Sequence, residues 1–366
     1  MKLDLPETRD ILEANYSPHE VEVLWKLFRI LETMPVAEAI EEGRSFLRRL
    51  WPDEIEYLSK TSWIQRKQDL PCLLEPNFAQ KKFWEDVVLR CREENRPMRA
   101  IILKARQLGF STLVSAIHYM WCSTNPHRHA LTISYDDDSG NELLAKCKFI
   151  HDHLFFPLQT SRDSTGRIEF SKPHHSSFRV ITAGGKGMGR SYTFQHVHCS
   201  EIPFWGNADL VLTGLAQTVS PTALDTSVFW ESTAQGMAGV FYDGWVAAES
   251  GASSYIPFFA PWFWNPEYET SFQSDDHMKQ FMRSLNYEDV RYMDAYGLSE
   301  EQMNWRSAKI NEPGMTRPKF KQEFPACAEE AFISSGTPVF DQEMILELTR
   351  NAKSPEWQGG IVCERA

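Results

Sequence analysis

Five short apolar segments, separated by turns and helix-like stretches, follow one another along the middle of the chain. They occupy residues 99–105, 129–135, 176–184, 194–200 and 226–232. Helical patterns follow the first two segments, in residues 111–123 and 141–155. Strands that alternate with helices are typical of a mainly parallel sheet with helices packed on both faces. The sequence therefore predicts an α/β fold, in which ligands bind at the carboxyl ends of the strands.

The regions on either side of this series are predicted to be mainly helical. Residues 8–60 have apolar positions at helical spacing, and Ser17 followed by Glu20 is the pattern of a capping box. We predict a helical N-terminal region over residues 1–65 and a core over 66–270. A helical and linker subdomain follows over 271–345, and residues 346–366 begin a further linker. A length of 366 residues agrees with about two domains.

Composition limits the class of protein. Charged residues make up 24% and hydrophobic residues 42%, as in ordinary soluble globular proteins. The seven cysteines are scattered without a C-x-x-C pair, which argues against a disulfide framework or a structural zinc site. A net charge of −12 argues against a strong constitutive nucleic-acid binder, although brief contacts on one face remain open. No apolar run approaches the roughly 20 residues that span a membrane, so no membrane association is expected.

The stretch IILKARQLGFSTL, residues 101–113, has the order of a phosphate-binding loop: a strand, Gly109, the hydroxyl pair Ser111 and Thr112, and a helix. Such loops work because backbone N–H groups at a helix start converge on an anion. The common pattern, G-x-x-x-x-G-K-S/T, has a lysine at the position of Phe110.

Two cations stand at the head of the loop instead. Lys104 or Arg106 could deliver the missing positive charge from that end. The alternative is that both are surface charges at a strand end and that Ser111 is an ordinary helix cap.

Two further polar patterns follow predicted strands. Glu201 comes directly after Ser200, at the end of the apolar segment 194–200. In P-loop ATPases a strand of this kind ends in an acid for magnesium, often with a carboxylate that orients water. The segment ESTAQG, residues 231–236, could sense a terminal phosphate. The alternatives are a helix cap or ion pair for Glu201 and a plain turn for ESTAQG.

The segments KARQLGFST, HCSEIPFW, ESTAQG and QEFPACAEEAF together resemble the large terminase subunit of tailed bacteriophages, the motor that packages DNA. The resemblance covers roughly residues 70–345, and residues 1–60 lie outside it. It implies a P-loop NTPase fold of the ASCE/RecA type that binds ATP and Mg²⁺. Terminases often carry an R-Q-x-G form of the loop, in some cases with the functional lysine at its head.

The resemblance also implies a role for individual residues. Lys104 and Arg106 would contact the β- and γ-phosphates, and which of them replaces the usual lysine stays open. Ser111 would coordinate magnesium, with Ser200 holding a metal-bound water in place of the expected aspartate. The nucleotide-binding residues would be Gln80 (to adenine, although the leading Phe of its usual motif is absent), Lys104, Arg106, Gln107, Leu108, Gly109, Phe110, Ser111 and Thr112.

Catalysis and coupling are assigned in the same way. Glu201 would orient or deprotonate water, assisted by Arg106. Arg190, in a glycine-rich loop, would reach the γ-phosphate of a neighbouring subunit, with Lys186 as the alternative residue and an ordinary loop arginine as the other interpretation. Ser232 and Thr233 would couple phosphate release to movement.

Partners and location follow from the resemblance too. They are double-stranded DNA, a ring of copies (a pentamer) on a portal protein, and a small terminase subunit, in the cytoplasm of a bacterial host. The ring would attach to the procapsid transiently and be absent from the mature virion. Residues 334–348 resemble the segment that leads into a nuclease domain, and Asp341 there is an unlikely metal ligand. We therefore expect an ATPase portion without DNA-cutting activity.

Several positions have simpler interpretations. Arg162, Arg167 and Lys172 are predicted to share a loop region, as a DNA track or a solvated surface. Residues 258–264 are predicted to form an apolar wall against the sheet.

Two rival functions stay open: a helicase-like ATPase of another lineage, and a non-hydrolysing nucleotide-binding assembly protein with a decayed site.

Overall fold

The structure is a computed structural model, and it describes residues 5–65, 70–184 and 192–332. Ten strands are present in these residues. They are β1 (Trp63–Ile64), β2 (Cys72–Leu73), β3 (Met98–Lys104), β4 (His129–Ser134), β5 (Thr160–Ser164), β6 (Arg167–Phe170), β7 (Ser177–Thr182), β8 (His196–Ser200), β9 (Ser227–Ser232) and β10 (Ile256–Ala260). β1 and β2 form a small antiparallel pair, and the other strands form one sheet in the order β10-β3-β9-β8-β4-β7-β6-β5.

Helices surround this sheet. They are α1 (Leu5–Asn15), α2 (Pro18–Leu31), α3 (Val36–Leu50), α4 (Glu54–Thr61), α5 (Phe78–Phe83), α6 (Arg90–Glu93), α7 (Phe110–Thr124), α8 (Asp137–Asp152), α9 (Ala208–Ala216), α10 (Val240–Glu249), α11 (Asp275–Ser284), α12 (Tyr287–Tyr296), α13 (Glu300–Ile310), α14 (Arg317–Glu323) and α15 (Ala328–Ala331). A π-helix, Trp84–Leu89, joins α5 to α6, and short 3₁₀ turns occur at Ile202–Phe204 and Trp262–Trp264.

Six neighbouring strands, from β10 to β7, are parallel to one another. The central strand β3 has every residue buried, as expected for a parallel strand covered on both faces. The five strands predicted from apolar runs are all present, with ends that differ by at most two residues. The predicted α/β fold with a mainly parallel sheet is thus confirmed.

The sheet is wider than the sequence predicted. Residues 256–260, partly assigned to an apolar wall, form the edge strand β10 beside β3. Pro257 within this segment fits an edge position, because proline has no backbone N–H to donate to a further strand on the open side. At the other edge, Arg162 and Arg167 lie in the antiparallel hairpin of β5 and β6 rather than in a loop. The polar, exposed β5 lacks the apolar alternation that predicts a strand.

The N-terminal helices pack against the core. The predicted capping box at α2 is present: the Ser17 N–H donates to the Glu20 carboxylate at 2.8 Å, and the Ser17 hydroxyl accepts from the Glu20 N–H at 3.4 Å. Phe28 of α2 lies 5.7 Å from Phe156, between ring centroids. One continuous hydrophobic cluster extends from Leu12 to Ala326. The proposed domain boundaries remain predictions. In the part of the chain that the structure describes, no helix has the length and apolar character needed to cross a membrane.

Candidate functional site

The sheet order brings three strand ends together. β9 lies between β3 and β8, and all three are parallel. Their carboxyl ends therefore open at one edge of the sheet, where α/β proteins bind ligands. Lys104 ends β3, Ser232 ends β9 and Ser200 ends β8, with Glu201 directly after it.

The loop after β3 is held by hydrogen bonds to its backbone. The Ala105 N–H donates to the Ala260 carbonyl at 3.0 Å, and the Tyr268 hydroxyl donates to the Arg106 carbonyl at 2.8 Å. Gln107 and Gly109 have positive φ angles of 58° and 74°. These two left-handed residues turn the chain into α7, so that the free N–H groups of the first helical turn lie beside the strand ends.

Lys104 is buried and bridges two carboxylates. Its side chain is 9% exposed, and its Nζ lies 2.9 Å from Glu231 Oε1 and 3.3 Å from Glu201 Oε1. Burial alone would lower the pKa of Lys104, but the two neighbouring carboxylates raise it above its ordinary value. The lysine is therefore a fixed positive charge at the strand ends.

Glu231, the first residue of the ESTAQG segment, received no separate role from the sequence, but it lies at the centre of this cluster of side chains. Its side chain is fully buried, and four groups surround the carboxylate. Besides Lys104, these are His198 Nε2 at 3.1 Å, Ser111 Oγ at 3.1 Å and Ser200 Oγ at 3.4 Å. Burial alone would raise the pKa of Glu231, but Lys104 and His198 hold it below its ordinary value. The available signal was an acid near the end of the predicted strand 226–232.

Glu201 presents its carboxylate beside the same lysine, but more openly. Its side chain is 23% exposed, and its Oε2 accepts a hydrogen bond of 2.6 Å from the Ser232 hydroxyl. Its backbone is left-handed, with φ of 57°. Such a conformation is costly for a residue with a side chain and persists where the surroundings require it. Here the Glu201 N–H donates to the Glu231 carbonyl at 2.8 Å, which fixes the turn.

A cleft of about 380 Å³ opens above these residues. This volume falls in the range of small-molecule sites. Seven sequence-predicted residues line it: Lys104, Arg106, Gln107, Ser111, Ser200, Glu201 and Thr233. The remaining lining residues are Tyr135, Ser139, Glu142, Leu143, Lys146 and Phe204.

The two candidate cations of the loop occupy different environments. Arg106 forms an ion pair with Glu323 of α14, and its side chain is 53% exposed. The Arg106 N–H also donates to the Glu323 carbonyl at 3.0 Å. Lys104, in contrast, points at the carboxylates on the cleft floor. The geometry therefore gives Lys104 the inner position, while Arg106 ties the loop to the helical subdomain.

Three other predicted nucleotide-binding residues hold the loop through buried contacts instead of lining the cleft. Gln80 is buried, and its Nε2 donates to the Gly109 carbonyl at 3.0 Å and to the Leu108 carbonyl at 3.4 Å. Leu108 and Phe110 are buried, and Phe110 packs 5.9 Å from Phe83, between ring centroids. These last two side chains belong to the core, so only their backbone groups are available to a ligand.

The remaining predicted residues are placed as follows. Thr112 lies half-buried in the first turn of α7, outside the lining of the cleft. Arg190, Lys186 and Asp341 lie outside the described residues. Within the ranges that are described, no group of three or more histidine, cysteine or acidic side chains is placed to hold a metal ion.

No family model matches the chain, and neither does any curated protein. Similar solved structures include the large terminase of bacteriophage HK97, which is 13% identical, with 76% of this chain and 52% of that chain covered and a TM-score of 0.44. Another is the ATPase domain of the Thermus phage P74-26 large terminase, at 15% identity, 69% and 98% coverage and a TM-score of 0.41.

A large terminase from a thermophilic bacteriophage is similar at 9% identity, with 60% of this chain and 52% of that chain covered and a TM-score of 0.43. Further structures of that protein are complexes with ATPγS or ADP. The chain spans about half the length of the HK97 and thermophilic-phage proteins. At this identity the likeness concerns the fold.

Proposed function

We propose that this chain is the ATP-hydrolysing part of a motor that packages double-stranded DNA into a viral procapsid. One observation carries the proposal: Lys104, from the loop strand, bridges Glu201 and Glu231 at the floor of a cleft that adjoins the start of α7. A buried cation and free helix N–H groups are the elements that bind phosphate, and a partly exposed carboxylate is the element that activates water.

Lys104 and the backbone of the loop between β3 and α7 are the proposed phosphate-binding groups. In the proposed nucleotide-bound state the ammonium group of Lys104 contacts the outer phosphates, which replace one of its present carboxylate partners. The N–H groups at the start of α7 donate to the same phosphates. Phe110 does not obstruct this arrangement, because its side chain is buried in the core.

Glu201 is the proposed catalytic carboxylate. It lines the cleft, and the hydrogen bond from Ser232 orients its Oε2. A carboxylate held in this way can accept a proton from water or align the water for attack on the terminal phosphate. Ser232 and Thr233 follow on the neighbouring strand end, which supports their proposed coupling role.

The cleft also suits Mg²⁺, which binds through one or two protein groups together with substrate phosphates and water. Ser111 lines the cleft and donates its proton to Glu231, so its oxygen lone pairs are available to a cation. Ser111 and Ser200 are the residues that would hold the ion, directly or through water. When bound, Mg²⁺ neutralises charge on the phosphates.

The assembly and its partners follow from the sequence motifs rather than from the cleft. We propose a ring on a portal protein, double-stranded DNA as the substrate and a small terminase subunit as a partner, in the cytoplasm of a bacterial host. Arg190 is proposed to act on a neighbouring subunit's γ-phosphate, so activity would require the ring and a heterologous interface. The alternative, a helicase-like ATPase of another lineage, would use a second RecA-like sheet, and residues 5–65, 70–184 and 192–332 contain one large, mainly parallel sheet.

The test is ATP hydrolysis at several protein concentrations, with and without duplex DNA. We expect turnover that rises steeply with protein concentration, because the ring completes the site, and that is lost in Arg190→Ala. Measurement at high concentration matters, since a dilute monomer would turn over slowly. Absence of turnover at every concentration, with Glu201→Ala indistinguishable from the wild type, would contradict an ATPase and favour a non-hydrolysing assembly protein.

A further inference from the structure

Position 200 lacks the acid that an ATP site of this kind needs for its metal, and an acid stands directly beside it on the next strand. Ser200 of β8 and Glu231 of β9 are register partners in the parallel ladder. Adjacent strands lie about 4.8 Å apart, so a carboxylate on either strand can reach the same cation. The following inference rests on the proposed function.

The Glu231 carboxylate is aimed at the hydroxyl group of the loop. Ser111 Oγ lies 3.1 Å from both carboxylate oxygens of Glu231. A serine hydroxyl has one proton and two lone pairs. Because Glu231 takes the proton, the lone pairs of Ser111 are left for a cation in the cleft that Ser111 lines.

The distribution of charge between Ser200 and Glu231 also supports a role for Glu231 at the cation site. Ser200 is uncharged, so it cannot neutralise a cation in the place of the missing acid. Its hydroxyl group donates a hydrogen bond of 3.4 Å to Glu231. A fully buried carboxylate is costly to desolvate and is kept only where several groups compensate it. Lys104 already has a second carboxylate partner in Glu201, so an ion pair for the lysine alone does not require Glu231.

We infer that Glu231 supplies the carboxylate missing from position 200: it positions Ser111 and balances the charge of nucleotide-bound Mg²⁺. Glu231 is thus a positioning residue that acts through Ser111. Outer-shell carboxylates of this kind orient metal ligands and are sensitive to mutation. The rival explanation is that Glu231 only neutralises Lys104.

The experiment measures the affinity of the full chain for a fluorescent ADP analogue, in Mg²⁺ and in EDTA. The variants are Glu231→Gln and the double variant Ser200→Asp/Glu231→Gln, which moves the charge to the register partner. We expect Glu231→Gln to lose about tenfold of the affinity gained from Mg²⁺, with affinity in EDTA unchanged. The double variant is expected to recover most of that gain.

Asp289→Asn is the matched control. Asp289 is a buried carboxylate that accepts from Arg306 at 2.8 Å and from Arg317 at 2.7 Å, between α12, α13 and α14. Its conversion to an amide removes the same kind of group, away from the cleft, and is expected to leave the Mg²⁺ dependence unchanged. Circular dichroism and thermal unfolding check that each variant folds.

Three results would overturn the inference. They are an unchanged Mg²⁺ gain in Glu231→Gln, an equal loss in Mg²⁺ and in EDTA, which is the signature of an effect through Lys104, and absence of rescue by Ser200→Asp. If Glu231→Gln does not fold, a crystal structure of the wild type with ADP and Mn²⁺ decides. Glu231 bonded to Ser111 or to a Mn²⁺-bound water supports the inference, and a metal remote from both residues overturns it.

The outcomes separate this inference from the proposed function. A wild type that binds no nucleotide in either buffer contradicts both. A wild type that needs Mg²⁺ for tight binding, beside a Glu231→Gln variant that behaves identically, removes only the role of Glu231.

Discussion

Two glutamates share one lysine but lie in different environments. Glu231 is fully buried and surrounded by donors, whereas Glu201 reaches the cleft with part of its side chain exposed. Carboxylates in different surroundings take on different tasks, because burial and charge partners fix which of them meets solvent and substrate. This difference supports the two roles proposed above, water activation for Glu201 and organisation of the cation site for Glu231.

Glu201→Gln tests the first assignment. The amide keeps the size of the side chain and can still accept a hydrogen bond from Ser232, but it cannot take up a proton. We expect the rate of ATP hydrolysis to fall about 10²–10⁴-fold, while nucleotide affinity changes little. The measurement is steady-state turnover together with an equilibrium titration.

Glu142→Gln serves as the control for this variant. Glu142 of α8 also lines the cleft, and the same chemical change there is expected to leave most of the turnover intact. Equal rates for Glu201→Gln and Glu142→Gln would contradict the assignment of Glu201.

At the scale of elements, the loop between β3 and α7 owes its form to one glycine and one glutamine. Gly109 has a φ of 74°, and a Cβ built on it would lie 2.7 Å from Gln80 Nε2. Gln80 in turn donates to the Gly109 and Leu108 carbonyls. The position therefore needs glycine both for its backbone angle and for the close approach of Gln80.

Gly109→Ala is expected to lower the free energy of unfolding by about 1 kcal/mol or more and to weaken nucleotide binding, because Gln80 must move from the loop. Gly251→Ala is the matched control. Gly251 has a similar φ of 75°, but nothing lies within 4 Å of its built Cβ. Denaturant unfolding and nucleotide titration of both variants make the comparison. Equal nucleotide affinity in the two variants would refute a role for the Gln80 contact.

The start of α2 carries a pH-sensitive element far from the cleft. Burial alone would raise the pKa of Glu20, but hydrogen bonds from Ser17, Lys60 and Trp51 lower it from 4.5 to about 2. Since the pKa is lower in the folded state, Glu20 stabilises the fold above pH 4.5, and this contribution is lost as the pH falls toward 2.

Glu20→Gln is expected to cost roughly 1–2 kcal/mol of unfolding free energy at neutral pH and to flatten the decline in stability between pH 4.5 and 3. Urea unfolding across that range measures both effects. Glu22→Gln, on the same helix and in an exposed pair with Lys26, is the control and should change the pH profile little. Identical profiles for the two variants would contradict the assignment.

At the scale of the whole molecule, apolar runs predicted the central strands because both faces of a parallel sheet are buried. The order of those strands is a tertiary property, and it places β9 between β3 and β8. For this reason the sequence placed Lys104 and Glu201 at strand ends, but it could not show that Glu231 lies between them and contacts the same lysine. The pairing of Arg106 with Glu323 joins residues 217 positions apart, which local patterns cannot indicate.

The same long-range packing separates the two cations proposed to replace the loop lysine. Glu323 of α14 pairs with the Arg106 side chain and the Tyr268 hydroxyl holds the Arg106 carbonyl, whereas Lys104 faces the carboxylates of the cleft. The central claim is therefore that the cleft binds ATP through Lys104. The proposed phosphate-binding groups, Lys104 and the backbone at the start of α7, belong to one chain, so this claim can be tested without a ring.

Isothermal titration of ATP with Mg²⁺ into the wild type, Lys104→Ala and Arg106→Ala is the most direct test. We predict binding by the wild type and a loss of about 100-fold in affinity for Lys104→Ala, because a buried charge facing the phosphates is removed. Arg106→Ala should lose less than about tenfold, since Arg106 is exposed and paired with Glu323. Wild-type affinity in Lys104→Ala, or absence of binding by the wild type, would contradict the claim.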